Sequence, residues 1–152
     1  MHLSPHFTLA ELTKSQTAIR RGIRNVPNAG QINNLKRLAK GILEPLREHF
    51  GRPFSPSSGF RCQALNVAIG SKSTSQHTYG EAVDFELPGI PNRDVAEWIR
   101  DHLDFDQLIL EFYNPEVASS GWVHVSLKEK DNRRQVLTIN HNGVWAGLGE
   151  AI

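Results

Sequence analysis

Apolar residues recur at Ile32, Leu35, Leu38, Ile42, Leu43, Leu46 and Phe50, a spacing of three and four that gathers them on one side of a helix. The pattern predicts one long amphipathic helix, kinked where Pro45 lacks a backbone donor, and ended by Gly51 and Pro53. Upstream, Thr8 and Glu11 have the three-residue spacing of a capping box at the start of a short helix, Leu9 to Ser15. Gly22 to Gly30 reads as loop. Downstream, Phe54 to Phe60 can run extended, Cys62 to Ile69 makes a short helical turn closed by Gly70, and Ser71 to Ser75 is a polar loop.

From Ala82 to Leu87 the period changes to two: Ala82, Asp84 and Glu86 face one way, Val83, Phe85 and Leu87 the other. Asn92 is expected to cap a second helix with Val95, Trp98, Ile99 and Leu103 as its apolar stripe. Gln107 to Phe112 and Trp122 to Leu127 read as two more strands, and Val136 to Ile139 as an edge strand. Asn142-Gly143 signals a turn before Val144 and Trp145. Helices first and strands later, with antiparallel connections, predict an α+β fold in which a small sheet packs against the long helix and the second helix.

Composition narrows the partners. The 152 residues suit one domain, and they carry no internal repeat, low-complexity segment or linker. With 17 basic and 16 acidic residues the net charge is +1, so no global field draws the chain toward nucleic acid or an anionic membrane. Cys62 is the single cysteine, which excludes an internal disulfide and a thiolate metal cluster. The opening MHLSPHFTLAEL has neither a basic leader nor a long apolar run, and no stretch approaches the ~18 apolar residues of a membrane span. Cytoplasmic synthesis without a signal peptide is the expectation, and a monomer the default.

The candidate chemistry lies in Ser75-Gln76-His77-Thr78-Tyr79-Gly80-Glu81-Ala82-Val83-Asp84 and Trp122-Val123-His124-Val125-Ser126. The first segment puts a histidine in a loop and a carboxylate on the strand that follows. Gly80 allows the turn between them, and the small Ala82 leaves room beside Asp84. His124 lies on the polar face of a strand whose valines face inward. Two histidines and a carboxylate are the ligand set of many catalytic zinc sites, with a fourth position open for water. Singly, either histidine is more often an ordinary hydrogen-bonding or surface residue, the reading kept for His2, His6, His49, His102 and His141, so spacing alone leaves both readings open for His77 and His124.

The SxHxxGxAxD motif followed by the WVHVS strand resembles the M15 zinc peptidases, a family that includes D-alanyl-D-alanine carboxypeptidases and phage endolysins. The opening FTLAELTKSQTA, the helix end LEPLREHFG, the SSGFR segment and Asn66 are similar to its phage and prophage branch. The resemblance runs from about Phe7 to about Leu127, leaving residues 128–152 as a C-terminal extension of a single domain. It implies a hedgehog and D-Ala-D-Ala peptidase type of fold, Zn²⁺ held by His77, Asp84 and His124, and a peptidoglycan stem peptide or crosslink as substrate. It also implies that Arg61 holds the substrate carbonyl or carboxylate and the developing oxyanion, a task suited to a planar guanidinium. Otherwise Arg61 is a structural ion-pair residue. Ser75, Gln76 and Tyr79 are the further substrate-binding candidates.

One position departs from the pattern. Many members of the wider family carry an acid three residues before the last histidine, where this chain has Gly121. A peptidase of this type needs a carboxylate to accept the proton of the attacking water. Glu111 is the leading candidate, because strand alternation puts Leu108, Leu110 and Phe112 on one face and Glu111 on the other. Glu116 and Glu81 are weaker alternatives. The competing reading is a binding or virion structural module that keeps zinc without catalysis. For the enzyme, access to the cell wall would come through a holin or as part of a phage particle.

Overall fold

The structure is a computed structural model and describes residues 1–149. The last three residues of the predicted C-terminal tail, Glu150 to Ile152, lie outside the described residues. The chain opens with a two-stranded ribbon, β1 (His2–Ser4) and β2 (Phe7–Thr8), which leads into α1 (Leu9–Thr13). The expected capping box is present: Thr8 Oγ1 accepts from the Glu11 backbone, and the Glu11 carboxylate accepts from Thr8 N–H. The helix stops at Thr13 rather than Ser15, because Ser15 caps a separate helix, α2 (Gln16–Arg21), whose end is fixed by Gly22 in the left-handed region.

The predicted long helix is present with three parts. Helix α3 (Ala29–Leu38) passes into a wide π-type turn over Ala39–Leu43 and then into α4 (Glu44–Phe50). The disturbance lies just ahead of Pro45 and has the form of a bulge: Glu44 N–H reaches Ala39 C=O, five residues back. One inserted residue gives the proline ring space and keeps the helix continuous, so a single apolar stripe still faces the core. After α5 (Gln63–Ala68), a short 3₁₀ turn (Gln76–Tyr79) delivers the chain to β3 (Ala82–Phe85). Helix α6 (Asn92–His102) then precedes β4 (Gln107–Glu111) and β5 (Trp122–Ser126), and the hairpin β6 (Gln135–Asn140) and β7 (Gly143–Ala146) follows.

The main sheet has the order β3-β5-β4-β6-β7, antiparallel except where β6 runs parallel to β4. Two expectations are corrected here. The segment around Val136–Ile139 is an interior strand, because the Asn142-Gly143 turn returns the chain as β7, and β7 takes the edge. Asn92 is the first helical residue and not the cap. Pro91, in extended conformation, occupies the cap position, and the Asn92 amide instead donates to the carbonyls of Ser120 and Gly121 at 2.8 and 3.0 Å.

Strand alternation divides the sheet into two faces. Val83, Phe85, Val123, Val125, Leu108 and Leu110 occupy one face and join Leu35, Leu38, Ile42 and Leu46 of the long helix and Val95 and Ile99 of α6 in one buried cluster. Burying each such side chain is worth about 1.5–3 kcal/mol, so the alternation fixes which face turns inward. The opposite face carries Asp84, His124, Ile109 and Glu111. No helix among the described residues is long and apolar enough to cross a membrane.

Candidate metal centre

Asp84 and His124 are direct neighbours across the β3–β5 ladder, and His124 is opposite Ile109 on the β5–β4 side. The inner face being apolar, all three side chains point to the open one. The outer flank of β3 is paired as well: Asp84 exchanges backbone hydrogen bonds with Ser57 and Ser58, so the segment carrying Gly59 and Arg61 lies against the site. Gly59 has to be glycine, since a Cβ there would meet the Leu12 carbonyl oxygen at 2.4 Å.

His77 arrives on the 3₁₀ turn, which Ser75 caps by accepting from His77 N–H, and Gly80 ends the turn at φ 74°. The His77 side chain is 3% exposed. Its Nδ1 lies 2.7 Å from the Gly59 carbonyl oxygen. A carbonyl can only accept, so Nδ1 carries the proton and Nε2 presents a lone pair. That Nε2 is buried without a hydrogen-bond partner, 3.4 Å from Asp84 Oδ2. Two acceptors thus face each other in a buried site. The other Asp84 oxygen lies 2.8 Å from His124 Nδ1. One ligand atom from each of His77, Asp84 and His124 falls within 4.8 Å of the others. A divalent cation between them resolves the facing lone pairs, so the donor set fits a metal.

Electrostatics favour the same species. Burial lowers the pKa of His77 and keeps its ring neutral, as a ligand requires. Burial pushes Asp84 up, but hydrogen bonding from His124 outweighs it and holds the carboxyl well below the usual range, so it is ionised. Arg61 lies just behind, with Nη2 3.8 Å from Asp84 Oδ2 and its position set by Ser58 Oγ and the Asn66 side chain.

These groups line a cleft of about 640 Å³. Glu111 lines it too, from the end of β4, paired in register with Trp122. Burial first, and then the negative charge of Asp84, raise the Glu111 pKa, partly offset by His124, a hydrogen bond from Trp122, and Arg61. Gly121 sits where the turn enters β5 at φ 69°, and a Cβ on it would lie 2.1 Å from the Glu111 carbonyl oxygen. The turn that holds Glu111 over the cleft therefore leaves no room for a side chain at 121.

Of the other expected residues, Ser75 and Gln76 line the cleft, while Tyr79 does not and is 50% exposed at the far end of the turn. Gln76 is engaged with the protein itself: its Nε2 donates to Asp106 Oδ2 at 3.0 Å. Neither Glu81 nor Glu116 is part of the lining. Sequence reasoning did not find Lys72, Trp122 or Arg133, which also line it. The alternation of Trp122 with His124 along β5 could have revealed Trp122. Nothing local could have revealed Arg133, which a parallel strand pairing brings in.

A family model described as Peptidase M15 matches residues 5–126, most of the chain. It spans the two histidines, Asp84, Arg61 and Glu111 and ends with β5. Comparison with curated proteins finds no match.

Proposed function

The chain belongs to the peptidase M15 family, and on that premise we propose that it is a zinc-dependent peptidase hydrolysing amide bonds in peptidoglycan stem peptides or crosslinks. The observation that carries this reading is the buried, unpartnered His77 Nε2 facing the ionised Asp84, with a carboxylate of raised pKa in the same cleft. His77, Asp84 and His124 would hold the ion. When bound, zinc supplies Lewis-acid polarisation of the scissile carbonyl and lowers the pKa of a water toward about 7.

The chain's own residues do the rest. Glu111 accepts the proton of the attacking water and returns it to the leaving amine, and its raised pKa makes it the better acceptor in the first of these transfers. Trp122, opposite Glu111 in the β4–β5 register, lines the cleft beside it. Arg61 offers guanidinium N–H donors to the oxyanion or to a substrate carboxylate. Ser75 holds the His77 turn by its cap, and Gln76 ties that turn to Asp106. The alternative of a zinc module without catalysis rested on Gly121, and the turn geometry accounts for that glycine without reference to catalysis.

Glu111→Gln should keep one zinc per chain and lose about 100-fold or more of the hydrolysis of purified cell walls, whereas His124→Ala should lose the zinc. Undiminished hydrolysis by Glu111→Gln overturns the assignment of the base. Mass spectrometry of the released fragments then distinguishes removal of a terminal D-Ala from cleavage inside the stem or crosslink.

A further inference from the structure

The two ends of the cleft differ in chemistry. Along β4 the residues facing it are Gln107, Ile109 and Glu111, and successive ones stand about 7 Å apart. His124 is level with Ile109, so the metal centre lies between a Glu111 end and a Gln107 end. The Glu111 end is acidic and aromatic, with Trp122 stacked on Phe112 at 5.4 Å.

The Gln107 end is basic. Asp106, which immediately precedes β4, is 1% exposed, and it accepts from Arg133 Nη2 at 2.7 Å, from Arg133 Nε at 3.1 Å and from the Arg133 backbone at 2.8 Å. One edge of the guanidinium is thereby locked onto a buried carboxylate. Nη1 takes no part in these bonds, and the Arg133 side chain is 54% exposed where it lines the cleft. Lys72 lines the same cleft from the Ser71–Ser75 loop, which runs directly into Gln76, itself bonded to Asp106. Its backbone is fixed by the Asn66 amide donating to the Lys72 carbonyl at 2.8 Å, while its side chain is exposed. A guanidinium aimed by a buried acid, with an ammonium on an anchored loop, is suited to a carboxylate.

We propose that Lys72 and Arg133 form an anion subsite that selects substrates bearing a free carboxylate on the side of the scissile bond away from Glu111. This deepens the peptidase reading of the cleft and rests on it. Arg133 lies beyond residues 5–126, so half of the subsite comes from the part of the chain outside the family match. Register explains why it can: β6 pairs parallel to β4, with Gln135 opposite Gln107, which brings the preceding residues back to the cleft mouth.

The probes are four synthetic pentapeptides, L-Ala-γ-D-Glu-L-Lys-D-Ala-D-Ala, with the D-Glu α-carboxyl and the C-terminal carboxyl each either free or amidated. Binding to zinc-loaded Glu111→Gln protein is measured by calorimetry, so that affinity is read apart from turnover. Amidating one of the two carboxyls should weaken binding about tenfold, the scale of one charge-assisted hydrogen bond. Adding Lys72→Glu should abolish that discrimination and leave binding of the doubly amidated peptide unchanged. Lys72 is exposed, so this variant is expected to fold, which Arg133→Ala, by stranding Asp106, is not.

Equal affinity for all four peptides, discrimination that survives Lys72→Glu, or no binding of any peptide overturns the subsite. Failure of the wild-type protein to hydrolyse peptides that it binds in the expected order overturns the peptidase reading and leaves the subsite standing.

Discussion

Gly121 and Glu111 are one structural unit. The glycine's φ of 69° and the contact that a Cβ would make with the Glu111 carbonyl oxygen at 2.1 Å mean that the turn closes only over a hydrogen atom. Phe112, between them in the turn, has a positive φ of 54° with an aromatic side chain, a strained conformation that the surrounding packing sustains. Gly121→Ala should therefore cost about 2 kcal/mol or more in chemical denaturation, and should displace the Glu111 backbone so that hydrolysis falls with it. Stability equal to the wild type would show that the turn relaxes freely. At this scale much of the site was legible. The alternation of Ala82, Val83, Asp84 and Phe85 puts the carboxylate opposite the apolar residues whatever the rest of the chain does, and the same holds for His124 and Glu111. The protonated nitrogen of His77 was not legible, since it is set by the Gly59 carbonyl, contributed by a segment 18 residues away.

Among elements, the join between α6 and the β4–β5 connection depends on Asn92. Its side chain is 1% exposed, and its amide satisfies two carbonyls, Ser120 and Gly121, in the turn that orients Glu111. Asn92→Ala should leave those carbonyls without their donor and cost about 1–3 kcal/mol. Hydrogen exchange should then quicken in the 114–121 loop more than in β3. Uniform acceleration across the sheet would assign Asn92 a purely global role. The sequence marks an Asn at a helix start, which is the ordinary signature of a cap, and so suggests the wrong use for it. The same limit applies to Pro45. Its place in an apolar helical stripe predicts a local disturbance, but a bulge in place of a sharp kink follows from the need to keep Leu35, Leu38, Ile42 and Leu46 on one buried face.

For the whole molecule, the candidate ligands tie together a 3₁₀ turn, β3 and β5, which pack around one buried cluster. A metal held there binds the folded chain and not the unfolded one, so occupancy and stability are linked. At zinc about 100-fold above its dissociation constant the gain is about 2.7 kcal/mol, or roughly 5–10 °C in Tm for a chain of this size. Chelation should reverse that shift in the wild type and produce none in His124→Ala. An unchanged Tm on adding zinc to metal-free wild type would contradict the metal centre.

The sequence by itself determined the period of each element and hence which side of each strand is apolar. It determined the capping box at Thr8 and the turn at Asn142-Gly143, because these depend on spacings of a few residues, whereas the meeting of His77, Asp84 and His124 needs the β3–β5 pairing of residues 40 apart. Only the tertiary structure decided what depends on pairing between distant segments. It put β6 inside the sheet by adding β7, turned the Asn92 amide toward the 120–121 carbonyls, left Tyr79 outside the cleft and brought Arg133 into it. The physical reason is that side-chain direction is a local property of the backbone, whereas register and strand order are set by which packing buries the common apolar face.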